Sequence, residues 1–190
     1  MGSTGGRDRY FLIYRKEAGG SWNRIVQVKD GQKTSYIDKT AKSSKVYIYT
    51  VRAYCQTDGQ TSLSDYNKTG VYWIDTPKML VAEAYSEKSE IHHGQIDYDV
   101  LTGAKNVEGA DGFYVYRKTN NGKWEKIDDC PVFTGSNAGP LYEKAEQTLF
   151  RDSTVRPGNI YTYTCRAYCK VNGKIILSGY DPKGSSVTVK

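Results

Sequence analysis

Apolar and polar residues alternate with a period of two over most of the chain, which predicts short strands with one face in a core and the other in water. The clearest run sets Tyr161, Tyr163, Cys165 and Ala167 against Thr162, Thr164 and Arg166. Ile96, Tyr98 and Val100 alternate in the same way against Gln95, Asp97 and Asp99. Turn-forming pairs punctuate the runs at Gly19-Gly20, Asp30-Gly31, Asp58-Gly59, Asn121-Gly122, Pro157-Gly158 and Asn172-Gly173. Asn-Gly and Asp-Gly supply the positive φ that tight hairpins need, and short strands at this spacing predict an all-β sandwich or barrel.

The chain also repeats itself. Phe11-Leu12-Ile13-Tyr14-Arg15-Lys16 returns as Phe113-Tyr114-Val115-Tyr116-Arg117-Lys118, an offset of 102 that carries on through Trp22/Trp124 and Ile25/Ile127. A second block, from Tyr47 to Cys55, returns between Tyr161 and Cys169 at an offset of 114 with seven of nine residues identical. Leu63, Ser64 and Tyr66 follow as Leu177, Ser178 and Tyr180. The offset grows by 12, so the second copy carries an insertion of that size within about 128–149.

The run Val155-Arg156-Pro157-Gly158-Asn159-Ile160-Tyr161, continued through Ala167, resembles the E–F corner and strand F of fibronectin type III modules. In such modules a tyrosine closes the corner by bonding back to the chain, a role the resemblance implies for Tyr47 and Tyr161. Residues 113–118 and 124–127 look like strands C and C′ of the versions found in multi-module secreted and surface proteins of bacteria. The implied fold is two tandem immunoglobulin-like sandwiches. Residues 1–9 are set aside as an added or disordered start, 10–75 form an incomplete first module, and 76–190 form a complete second one. In the second, strands A, B, E and G fall near 77–84, 95–100, 149–152 and 185–189. Only nine residues precede Tyr10, which leaves no room for strands A and B in the first copy. Half of its core face would then be exposed, which soluble proteins avoid. A longer parent chain, a strand donated by another molecule, or a non-standard seal would each resolve this.

At 190 residues there is enough chain for two small domains, each closing its own core. Hydrophobic residues make up 38%, and 17 tyrosines supply surface that can be half buried with its hydroxyl in water, which suits thin sandwiches. The net charge of +6 is scattered along the chain without a basic block, which argues against a nucleic-acid arm. No window approaches the apolar length of a membrane-spanning helix, and Met1 to Arg9 lacks the apolar stretch of a secretory signal. An extracellular or cell-surface location is implied by the resemblance alone.

Residues that carry chemistry are sparse. His92 and His93 are adjacent in a predicted A–B turn near Glu83, Glu87 and Glu90, but neighbours on an extended chain point opposite ways, so no metal site is expected. No nucleophile has an evident His base, so catalytic residues and cofactors are assigned to none. The carboxylate pairs Asp97/Asp99 and Asp128/Asp129 read as solvated strand polarity. Cys165 and Cys169 lie about 13 Å apart along one strand, beyond disulfide reach. Cys130 with either of them is conceivable, although free thiols filling the core are the simpler reading, for Cys55 as well.

Trp22 and Trp124 occupy equivalent places, where cross-strand packing competes with a sugar-stacking role. Trp73 is expected to wedge the modules together. The insertion is the one segment a sandwich does not demand, and its second half reads as a helical turn guarding an edge. With it, Trp124, Phe133 and Tyr142 are the candidate ligand contacts, for a glycan or protein partner. No Arg-Gly-Asp tripeptide occurs. The leading expectation is a non-catalytic spacer of a larger surface or secreted protein. The rivals are an adhesion module and an assembly element completed by a partner's strand or by a homo-oligomer.

Overall fold

The computed structural model describes residues 8–57, 59–88, 95–131 and 146–190, and every regular element among them is a strand. The chain divides into two units, Met1–Trp73 and Ile74–Lys190. The split falls just ahead of the predicted boundary at 75/76.

The second unit is a two-layer sandwich. One layer has the strand order β10 (Gln147–Asp152), β7 (Ile96–Lys105), β6 (Glu83–Lys88). The other runs β9 (Glu125–Pro131), β8 (Gly112–Thr119), β11 (Ile160–Val171), with both β12 (Lys174–Leu177) and β13 (Ser185–Thr188) paired to β11. Every pairing among these strands is antiparallel. In strand letters these are E-B-A and C′-C-F-G, the immunoglobulin-like arrangement, with strand G broken into two pieces. Ala82, Val100, Val155, Tyr161, Tyr163 and Val189 form a buried cluster between the layers.

Three details depart from what the sequence predicts. Strand A pairs with strand B in two pieces, a bridge at Met79–Ala104 and a ladder from Glu83, and between them Ala82 N–H turns away to donate to Ser185 Oγ at 2.8 Å. Strand B runs on to Lys105 through Gly103, a residue that usually weakens a strand. Here a Cβ would come within 2.5 Å of Thr148 O, so only glycine lets β10 lie this close. The third departure concerns β11: Thr162 and Thr164, predicted to face water, are buried at 4% and 1% exposure. Their hydroxyls meet Ser186 Oγ at 2.8 Å and Asp181 O at 2.9 Å, because the break in strand G folds chain over this face. Of the insertion, β9 and β10 claim both ends, and 132–145 lies outside the described residues.

The first unit is a single layer. Its order is β2 (Asn23–Val28), β1 (Asp8–Glu17), β3 (Val46–Thr57), β4 (Gln60–Leu63), with β5 (Val71–Ile74) also paired to β3. This is C′-C-F-G with the same broken strand G, and among the described residues no A, B or E strand accompanies it. The repeat holds in detail. A register shift falls between Ile13 and Tyr14 in the β1–β2 pair and between Val115 and Tyr116 in the β8–β9 pair. Where strand G leaves the ladder, Ser64 Oγ takes the N–H of Ala53 and Ser178 Oγ that of Ala167, both at 2.9 Å. The repeated serine therefore replaces a missing strand partner.

Candidate functional site

The first unit leaves a groove of about 810 Å³ on the face that would be its core, lined by Phe11, Ile13, Tyr36, Tyr49, Val51 and Trp73 among others. Each has a counterpart in the second unit. Phe113, Val115, Tyr163 and Cys165 are buried there and Val187 half buried beneath β6, β7 and β10, and Phe150 is buried on the covering strand β10, its ring against Phe113. Val51 is 49% exposed where Cys165 is 1% exposed, and Tyr36 is 41% exposed where Phe150 is 4%. The side chains are alike; only the covering layer differs.

Most of what the first unit buries lies on the opposite side of its sheet, while Tyr47, in phase with Tyr49 and Val51, is buried at 1% exposure against the Trp73 ring. Leu12, Val46, Ile48 and Thr50 are buried and out of phase with Phe11, Ile13, Tyr49 and Val51, so the strand period puts them on the other face. Thr50 Oγ1 donates to Asn67 O at 3.0 Å, which fastens the break in strand G over that face. Trp22 closes it from the edge, with its ring against Tyr66 at 6.3 Å.

One wall of the groove is the segment 34–38, which lies in no ladder although the matching residues of the second unit form β10. Its end is tied down. Asp38 Oδ2 accepts from Arg15 Nη1 at 2.7 Å and from Tyr49 Oη at 3.0 Å, while Oδ1 accepts from the hydroxyl and the N–H of Thr40 at 2.7 and 2.9 Å. Burial alone would push the Asp38 carboxyl up, but these four donors outweigh it and hold its pKa at about 2. Burial, and then the Asp38 carboxylate, push the Tyr49 phenol up to about 12. The same knot recurs as Arg117, Asp152, Thr154 and Tyr163, with Arg117 Nη1 2.8 Å and Tyr163 Oη 2.9 Å from Asp152 Oδ2. Arg15 also lies 4.5 Å over the Tyr47 ring and Arg117 5.3 Å over that of Tyr161.

Tyr161 Oη accepts from Arg156 N–H at 2.8 Å and Tyr47 Oη from Lys42 N–H at 3.3 Å, the geometry of a tyrosine corner in each unit. Trp124 is half buried, edge-on to Tyr180 at 6.4 Å, with Lys118 Nζ 5.1 Å over its ring. Trp22 repeats this with Lys16 at 4.9 Å. A lysine over the ring occupies the face that a stacking sugar would use. Trp73 stacks on Tyr47 at 6.1 Å as part of the groove. Phe133, Tyr142, His92 and His93 lie outside the described residues.

Asp99 is bonded to Arg151 Nη2 at 2.5 Å, and this bond holds its carboxyl below the usual range. Asp128 Oδ2 lies 3.2 Å from Cys130 Sγ. All four cysteines are free. Strand β8 runs between β9, which carries Cys130, and β11, which carries Cys165 and Cys169. Two strand spacings of about 4.8 Å each exceed disulfide reach. Burial pushes the thiols of Cys130 and Cys165 up to about 12 and that of Cys169 to about 11, which leaves them protonated and unreactive at neutral pH. Among the described residues no three His, Cys, Asp or Glu side chains converge as metal ligands, and no helix is long and apolar enough to cross a membrane.

The groove walls are partly legible in the sequence, since the repeat marks Phe11, Ile13, Tyr49 and Val51 as core-face positions. The Asp38 knot escapes the alternation pattern, although Asp38 and Thr40 recur at an offset of 114 as Asp152 and Thr154. Fold and site together define an all-β chain: one immunoglobulin-like sandwich of the fibronectin type III strand order, and one bare C′-C-F-G sheet of the same design. No family model matches the chain, and no curated protein does. It is similar to the solved chicken CNTN1 FN1-FN3 domains at 15% identity, over 97% of this chain and 55% of that one, with a TM-score of 0.32. At that score the fold rests on this chain's own strand order.

Proposed function

We propose that the chain is a non-catalytic structural segment of a larger extracellular or cell-surface assembly. The complete second unit serves as a stiff spacer and the first unit as a point of attachment. One observation carries this reading. The apolar face of the first unit's sheet forms an open groove around Tyr36 and Val51, while the equivalent positions of the second unit are buried in its core. Exposed apolar patches of this kind mark surfaces that another element covers. The role as pure spacer explains the second unit but leaves the groove without a purpose. A glycan-binding role through Trp124 has a lysine already seated on the ring.

The test is amide hydrogen exchange with solution mass on the full chain, comparing residues 11–16 and 47–54 with 113–118 and 161–168. A monomer whose first-unit strands exchange about tenfold or more faster than their counterparts has the open face that attachment requires. Equal protection in a monomer would mean that the face is already sealed, and would end the attachment reading.

A further inference from the structure

Given that the groove is an attachment face, its covering element can be specified, because the second unit holds an internal template of it. We propose that the first unit receives an acidic, amphipathic β-hairpin of a partner polypeptide. One strand of it pairs edge-on with residues 34–38, and its small side chains lie on Phe11, Ile13, Tyr49 and Val51.

Three observations carry this. The first is the unpaired edge. Residues 34–38 lie along the groove, outside any ladder among the described residues, and the Arg15–Asp38–Thr40–Tyr49 knot secures their end to the sheet. In the second unit the matching knot anchors β10, and β10 pairs with β7. An extended backbone held in place without a partner is an acceptor for strand addition.

The second is size. On the face of β8 and β11, Tyr163 shares a buried cluster with Ala82 and Val100 of the opposite layer, with Ala84, Met79 and one ring, Tyr98, packed against it, and Phe113 meets Phe150 of β10. Large residues on one layer interdigitate with small ones on the other. Two copies of the first unit set face to face would oppose Phe11, Tyr36, Tyr49 and Trp73 to the same four bulky rings. A hairpin with small inward residues fits this face and a second copy does not.

The third is charge and register. Phe150 pairs with Thr102, Leu149 with Gly103 and Asp152 with Val100. Moved by the repeat offset, the donor strand carries a hydroxyl or small residue opposite Tyr36, glycine opposite Ser35 and a branched apolar residue opposite Asp38. One step beyond, Ser153 meets Asp99, and its equivalent here is the exposed Lys39. Lys33, also exposed, flanks the other end of the segment. An acidic residue on the donor opposite Lys39 completes the edge.

The chain's own hairpin sequence is a ready probe. A synthetic peptide of residues 79–105 is titrated into the full chain, and both solution mass and amide exchange are followed. The expected result is one peptide bound per chain, with the amides of 34–38 and 49–51 slowed about tenfold or more and the second unit unchanged. Val51→Asp in the chain, or Val100→Asp in the peptide, abolishes the protection, and Lys39→Glu weakens binding several-fold. No slowing at saturating peptide, in a chain whose first unit still exchanges fast, overturns the hairpin while leaving the open face standing. A dimer that protects 34–38 without peptide gives the face to a second copy and overturns the hairpin as well. Binding that neither Val51→Asp nor Lys39→Glu affects places the peptide elsewhere on the chain and overturns it too.

Discussion

Strands β3 and β11 share seven of nine residues between Tyr47 and Cys55 and their counterparts, yet they live in different surroundings. In β11 both faces are dry: the E-B-A layer covers one and the broken strand G covers the other, so burial is nearly continuous from Tyr161 to Cys169. In β3 the strand G side is covered at Val46, Ile48 and Thr50, while the other side is buried only at Tyr47, is half buried at Tyr49, and leaves Val51 in water. The alternation of a strand says which side chains share a face. Which face is dry depends on what packs against it, and here the same strand answers the question twice.

The comparison breaks most easily at the paired phenylalanines. Phe113→Ala empties a fully buried site and is expected to cost about 3–5 kcal/mol, whereas Phe11→Ala, on a half-wet face, costs about 1 kcal/mol. Urea unfolding, read separately in each unit by amide exchange, measures both, and equal costs would mean that the first unit's face is covered in solution.

Acid acts next. The folded pKa values of Asp38 and Asp152 are both depressed, so the stability they confer is fully present above the unfolded value of about 4 and is lost as pH falls through the folded one, about 2 for Asp38. The first unit should therefore lose about 1–2 kcal/mol between those limits, and the second should lose stability in the same direction as pH falls. Asp38→Asn should flatten the pH dependence of the first unit only. Unfolding midpoints from neutral pH downward give the curves, and a second unit that flattened too would show that the two knots are not independent.

The smallest effect lies in the tyrosine corners. Tyr161→Phe removes a 2.8 Å bond and should cost about 1 kcal/mol, while Tyr47→Phe removes a 3.3 Å bond and should cost about half of that. Thermal unfolding of the two single variants checks the order, which sharpens the view that the first unit is the looser copy.

Much of this is readable without coordinates. The repeat, the hairpin turns and the alternating strands follow from spacing, whereas the placing of strands A, E and G and the shortage of strands in the first copy come from the resemblance to fibronectin type III modules. Other features are hidden because they join residues far apart in sequence. The Asp38 knot draws on β1, β3 and a loop, with Arg15 and Asp38 separated by 23 residues. In the sequence Gly103 resembles a break that would end strand B near Val100, and its purpose shows only in the approach of Thr148 O. For Trp124 the sequence leaves packing and sugar stacking in competition, because nothing local reveals that Lys118, across the hairpin, lies over the ring. Tyr36 and Ile37 carry no periodic signal, yet they form a wall of the groove.

The sequence by itself determined the strands, their turns and the partition of side chains between two faces, since these follow from the period of an extended backbone and the φ that each turn requires. Tertiary structure alone decided that residues 147–152 are a strand and 34–38 are not, although both end in the same Asp-x-Thr knot. A strand exists only when a neighbour accepts and donates its backbone hydrogen bonds. In the second unit β7 supplies them, and in the first no described strand does.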